Sequence, residues 1–179
     1  ERGFELLSKR SRLQRSKRSI FLSAIRSFLF NHVLAQRVED ANWNKIMDGE
    51  LAMLDGTQSI FSCKIPDDDI EDRCERLDIH PSGPMPGEKG SQPDSDAAAL
   101  EQAVLQQWPQ LLELLQSQRV QASRRSLRLI PADLEWTIEG AVLSLRFSLP
   151  PGTYATTVLR EILVFDDANT KSTENNNEL

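Results

Sequence analysis

The chain has 179 residues, 39% hydrophobic and 27% charged, a composition that supports a packed core and leaves room for one domain or two small ones. No run of about 18 apolar residues occurs, which argues against a membrane-spanning helix, and the two cysteines lack CxxC spacing. A net charge of −6 would by itself disfavour a polyanionic partner. The distribution points the other way, because Glu1 to Arg37 carry nine Lys or Arg and two acids, leaving that stretch at about +7 and the remainder at about −13. Screening over about 8 Å keeps distant acids from cancelling a local basic face.

Residues 1–18 are basic, punctuated by serines and without apolar period. Ile20, Phe21, Ala24, Ile25, Phe28, Leu29, Val33 and Leu34 then recur at the helical period and predict a buried amphipathic helix with Arg26 and Arg37 on its polar side. Two Asp-Gly pairs bracket short strands or turns over Glu50–Leu54 and Thr57–Cys63. The acidic stretch that follows predicts a short helix capped by Asp67 or Asp68, with Ile70, Cys74 and Leu77 on one face. Pro81 to Ser95, rich in Pro, Gly and Ser, predicts a loop too polar to be buried.

Asp96 is the predicted cap of a helix over Ala97–Gln107 with Leu100, Ala103, Val104 and Trp108 on one face. Pro109 fits the first turn of a second helix or a kinked continuation. Residues 121–131 read as a transition ending at Pro131. Leu134, Trp136 and Ile138, a turn at Gly140, then Leu143, Leu145, Phe147 and Leu149 predict a β-hairpin with one buried face. After the Pro150-Pro151-Gly152 turn, Val158, Leu159, Ile162 and Leu163 predict a short helix, and the acidic, polar end reads as a disordered tail.

Little in this pattern carries chemistry of its own. His32 and His80 have no Cys, Asp or Glu at ligand spacing, so both read as structural or surface histidines. Asp67, Asp68 and Asp69 lack the glycine and terminal glutamate of a calcium loop and read as a solvated acidic face, so no metal site is expected. The glycines are scattered singly, which removes a phosphate-cradling loop. Cys63 and Cys74 read as reduced thiols of a cytoplasmic protein. Arg124 and Arg125 of "SRRS" read as surface residues within reach of a phosphate. The basic segment offers charge and hydroxyl donors to a phosphate backbone. Thr153 is placed to cap the last helix, and Tyr154, the only tyrosine, stands where a ring either closes the core or stacks on a base.

Two blocks carry a resemblance. Ser23, Ala24, Arg26, Ser27, Phe30 and Asn31 match a Ser-Ala-x-Arg-Ser-x-x-Phe-Asn pattern, and Leu149, Pro150, Gly152, Tyr154, Ala155, Thr156, Arg160 and Glu161 match Leu-Pro-x-Gly-x-aromatic-Ala-Thr-x-x-x-Arg-Glu. In order and separation they resemble the TruD family of tRNA pseudouridine synthases, and "ASRRSLRLIPADLEW" is similar to that family's Arg-Arg stretch.

The resemblance implies an α+β fold. Residues 1–127 would be a mixed helical and short-strand insertion domain, 128–166 the hairpin and helix that complete the catalytic sheet, and 167–179 a tail. It implies cofactor-free isomerisation of uridine 13 in the D arm of tRNA, in the cytoplasm. The family's nucleophilic aspartate motif, Gly-x-Lys-Asp, and its Asn-Tyr-Phe-Gly signature are both absent from these 179 residues. By resemblance they belong to an N-terminal half of the same enzyme, this chain carries no catalytic residue, and alone it is expected to be inactive. Tyr154, Thr153 and Arg160 are the implied substrate contacts, with Arg160 and Glu161 holding the turn, and Lys17, Arg18 and Arg26 are the candidates for gripping the tRNA backbone. A non-catalytic RNA-binding or protein-interaction module derived from the synthase is the alternative.

Overall fold

The computed structural model describes residues 15–164, with side chains from Lys17 onward. Most of the basic segment and the tail lie outside the described residues. The chain divides into two units, Glu1–Arg128 and Leu129–Leu179.

The first unit is built on α1 (Arg15–Glu39), which begins within the segment expected to lack helical period. The predicted apolar stripe is buried only in its second half. Leu29, Phe30 and Val33 are in the core, whereas Ile20 is 67% exposed and Ala24 and Phe28 are exposed. Strands β1 (Glu50–Leu54) and β2 (Ile60–Cys63) form an antiparallel hairpin around the second Asp-Gly pair, and β3 (Ile79–His80) pairs with the other edge of β1. Helix α2 (Asp68–Glu75) is capped as expected, with Asp67 Oδ1 accepting from the Ile70 amide at 3.0 Å. It ends before Leu77, which adopts a left-handed φ of 67° and is exposed, so only Ile70 and Cys74 of the predicted face turn inward. Cys63 and Cys74 are free thiols buried with Ala52 and Ile79.

The predicted loop after Pro81 contains a strand instead, β4 (Ser82–Met85), and every residue from Pro81 to Met85 is buried. Its small side chains are the reason. A Cβ on Gly83 would stand 2.9 Å from both the Phe30 ring and Leu127, so only glycine lets the strand lie this close to α1. The partner of β4 is β5 (Ser123–Ser126), a second strand in a segment expected to be irregular. Pro84 is tolerated in this two-stranded ladder because both strands are edges.

Helix α3 (Ser95–Leu105) starts at Asp94 without a side-chain cap, and Asp96 lies in its first turn instead of capping it. Its buried face is Ala97, Glu101 and Val104, while Ala103 is exposed. The inward face is rotated because Glu101 has a cationic partner across the core. Helix α4 (Pro109–Ser117) carries Pro109 in its first turn, where a missing amide costs nothing, and buries Leu114 and Leu115.

The second unit is a hairpin followed by a turn and a helix. Strands β6 (Ala132–Glu139) and β7 (Val142–Ser148) pair Trp136 with Leu145 and Ile138 with Leu143, and Gly140 turns the chain at φ 61°. Asp133, at φ 52°, marks an irregularity in the register between Ala132 and Glu135. The alternation places the apolar side chains on one face as predicted, but that face is open, with Trp136 64% and Ile138 63% exposed. Cross-strand pairs touch laterally and cannot by themselves exclude water. Helix α5 (Ala155–Arg160), six residues long, is too short to cover the ribbon.

Candidate nucleic-acid interface

The turn that closes the second unit follows from its residues. Pro151 presets φ, Gly152 takes φ 85°, and the Thr153 amide returns to the Pro150 carbonyl, the geometry that a Pro-Gly pair favours. The Thr153 hydroxyl donates to the same carbonyl at 2.6 Å. It therefore ties the turn to itself, and the expected cap on the following helix is not made. Tyr154 is the residue at the start of α5, with extended backbone and no capping bond from its side chain. Tyr154 is 72% exposed in this chain. Val158, one turn on, is the inward-facing residue of α5. Arg160 and Glu161 are exposed and make no side-chain hydrogen bond or ion pair among the described residues. The arrangement presents an aromatic face beside a rigid turn, with a cation at the far end of the helix.

In the first unit, Lys17 and Arg18 stand exposed on the first turns of α1. Arg26 is placed differently. Its Nη2 donates to the Met85 carbonyl at 3.0 Å, the Gln121 carbonyl at 3.1 Å and Ser123 Oγ at 2.7 Å, so one end of its guanidinium fastens α1 to the β4–β5 ladder. Burial, and then the charge of Arg125, push its pKa below the usual arginine value.

Sequence reasoning missed the buried polar network of this unit. Arg37 Nη1 meets Glu50 Oε2 at 3.1 Å, and Glu50 Oε1 accepts from the Ser82 amide at 2.9 Å. The Ser82 hydroxyl donates to the Leu51 carbonyl and accepts from Arg124 Nε at 3.0 Å. Arg124 then closes a two-point pair on Glu101 at 2.9 and 2.6 Å. Arg124, expected at the surface, is thereby a core residue, whereas Arg125 stays partly exposed. Burial pushes the carboxyls of Glu50 and Glu101 up, and the arginines opposite pull them back. No sequence spacing announces pairs that lie 13 and 23 residues apart.

Both histidines have structural surroundings. His80 is buried, its Nε2 lies 2.8 Å from Asp55 Oδ1, and its Nδ1 faces Arg128 Nη2 at 2.9 Å. Since arginine only donates, His80 Nδ1 accepts and the ring proton sits on Nε2, toward Asp55. His32 packs edge-on against Phe28 at 4.4 Å and near Trp108 at 5.2 Å. Among the described residues no three His, Cys, Asp or Glu side chains converge as a metal site would require.

Comparison with known proteins places this geometry. The family model for tRNA pseudouridine synthase D (TruD) matches residues 8–162. The chain is 45% identical over 158 residues to the tRNA pseudouridine synthase D of Methylococcus capsulatus, covering 88% of this chain and 45% of that protein. To the protein of the same name from Xanthomonas campestris it is 46% identical over 156 residues, covering 84% and 42%. A crystal structure from Methanosarcina mazei, of a protein provisionally named tRNA pseudouridine synthase D, shares the fold with a TM-score of 0.60 at 19% identity, covering 90% of this chain and 43% of that one. The chain spans less than half the length of the curated relatives it matches. By its residues, its mixed α+β architecture and these matches, the chain belongs to the TruD family of tRNA pseudouridine synthases.

Proposed function

We propose that the protein to which this chain belongs isomerises uridine 13 in the D arm of tRNA to pseudouridine, without a cofactor and in the cytoplasm. The observation that carries the reading is the family match across residues 8–162, which takes in both motif blocks. On this reading residues 1–127 are the family's insertion and 128–166 the return of the chain into the catalytic domain. The uridine is flipped from the tRNA stack, an aspartate assists cleavage of its glycosidic bond, the uracil turns, and a carbon–carbon bond to the sugar replaces the carbon–nitrogen bond. On the family resemblance that aspartate belongs to an N-terminal half of the same enzyme, and these 179 residues contain no Gly-x-Lys-Asp. The chain alone is therefore inactive.

Its own residues hold the substrate. Tyr154, open to solvent at the rim of the Pro151–Gly152 turn, offers the flipped base a stacking face worth about 1–3 kcal/mol. Thr153 keeps that turn closed, and Arg160 supplies a cation one helix length away. Lys17 and Arg18 take the tRNA backbone. The test is to incubate the full-length protein with a tRNA transcript and map pseudouridine by mass spectrometry. Modification at position 13, abolished by a cytidine there, is the expected result. Tight tRNA binding with no pseudouridine would leave a non-catalytic RNA-binding module.

A further inference from the structure

Ser123 and Arg125 stand two residues apart on β5, so they project from the same side of the strand, about 7 Å apart along it. Helix α1 lies against that side. Arg26 donates to Ser123 Oγ at 2.7 Å, and Phe30, one helical turn further on, lies under the Arg125 guanidinium at 5.2 Å from its ring centroid. Gly83, directly across the ladder from Arg125, leaves the Phe30 ring room to sit there.

The charge of this cluster is one-sided. Arg37 is matched by Glu50, Arg124 by Glu101 and Arg76 by Asp78. Arg26 and Arg125 have no carboxylate within ion-pair distance among the described residues; instead the charge of Arg125 adds to burial in depressing the Arg26 pKa. Two cations held together without an acid are poorly matched in the free protein, and a bound anion relieves them. Ser123 is exposed and accepts from Arg26, so its own hydroxyl proton is left free to donate. Arg125, held over an aromatic ring and partly exposed, has less side-chain freedom to lose on binding than a free surface arginine.

We infer that Ser123 and Arg125 bind one backbone phosphate of the RNA, with Arg26 as the positioning residue beneath them. The inference rests on the pseudouridine synthase reading above and moves the role of Arg26 from contact to support.

The experiment measures the Kd of the full-length protein for a tRNA transcript across a series of potassium chloride concentrations. Arg125→Ala raises Kd about tenfold near 0.1 M salt and flattens the slope of log K against log salt by about 0.7–0.9, the loss of one phosphate contact. Arg125→Lys restores the slope, and Ser123→Ala weakens binding without changing it. If the alanine variant does not fold, Arg125→Gln, which keeps the aliphatic stem over Phe30, is read by the same slope. An unchanged slope and affinity with a lowered melting temperature would make Arg125 a packing residue and overturn the site. A wild-type protein that binds no tRNA would overturn both the site and the synthase reading. A wild type that binds and modifies tRNA beside unshifted variants would overturn the site alone.

Discussion

Arg37 and Glu50 face each other at 3.1 Å with side chains 4% and 0% exposed. Arg37 Nη2 also donates to the carbonyls of Asn42 and Lys45, and Glu50 also accepts from the amides of Met47 and Ser82. Removing either side leaves a buried charge without its counterpart. Glu50→Ala and Arg37→Ala should each lower the unfolding free energy by about 3–5 kcal/mol. Urea denaturation measures this, and the double variant should cost less than the two losses added, since the orphaned charge disappears. Arg37→Lys should not rescue, because an ammonium cannot span the same three acceptors.

Two carboxyls should shape stability against pH in opposite senses. Burial raises the Glu50 pKa above the ordinary 4.5, partly offset by Arg37, so the folded state holds the proton more tightly. Its contribution is full below about 4.5 and is lost as pH rises through the folded value. The His80 hydrogen bond lowers the Asp55 pKa below the ordinary 3.8, so its contribution is present above that value and lost as pH falls through the folded one. Melting temperatures of wild type, Glu50→Gln and Asp55→Asn between pH 3 and 7 test the signs, over a range set by those values. The gap between wild type and Glu50→Gln should narrow as pH rises above 4.5. The gap to Asp55→Asn should narrow as pH falls below 3.8.

The close approach of β4 to α1 depends on one missing methyl. Gly83→Ala should destabilise the first unit by about 1–3 kcal/mol, because its Cβ meets Phe30 and Leu127 inside normal contact distance. Pairing it with Phe30→Leu should recover part of the loss. Thermal melts of the three variants decide this, and an unchanged melting temperature for Gly83→Ala would show that the strand has room to move.

At the rim of the second unit, the ring of Tyr154 should matter and its hydroxyl should not. In the full-length protein Tyr154→Phe should keep pseudouridine formation close to wild type, while Tyr154→Ala should lower kcat/KM by about 1–3 kcal/mol of lost stacking, roughly 5- to 150-fold. Because the ring is exposed, neither change should move the melting temperature by more than a degree or two. A loss in Tyr154→Phe equal to that in Tyr154→Ala would assign the work to the phenol.

What could be read from residues alone followed the strength of local signals. Period-two alternation and Gly140 announced the β6–β7 hairpin, and Pro109 announced the start of α4, because those constraints act within a few residues. The strand at Ser82–Met85 was hidden by its own composition. Pro, Gly and Ser are loop residues by propensity, and here they are chosen for thinness under a packed ring. Arg124 read as surface, and the buried roles of Glu50 and Glu101 carried no signal, because burial of a charge depends on a partner that only folding supplies. The Thr153 hydroxyl had two acceptable partners, a helix amide and the Pro150 carbonyl, and nothing in its neighbours decided between them. For the Tyr154 ring packing and stacking both fit its sequence neighbours, and in this chain it stands exposed.

Helix α1 is a beam built into the core over its second half. At 25 residues it is about 37 Å long, and the Arg26 clamp sits near its middle, fastened to Met85, Gln121 and Ser123. Beyond Arg26 the beam is built into the wall through Leu29, Phe30, Val33 and Arg37; before it, Lys17, Arg18, Ser23 and Ala24 stand clear. Amide hydrogen exchange should therefore step sharply at Arg26, slow toward Arg37 and fast toward Lys17. The same guanidinium thus marks where α1 passes from a half whose cations, Lys17 and Arg18, face solvent to a half whose cation, Arg37, is spent on the core.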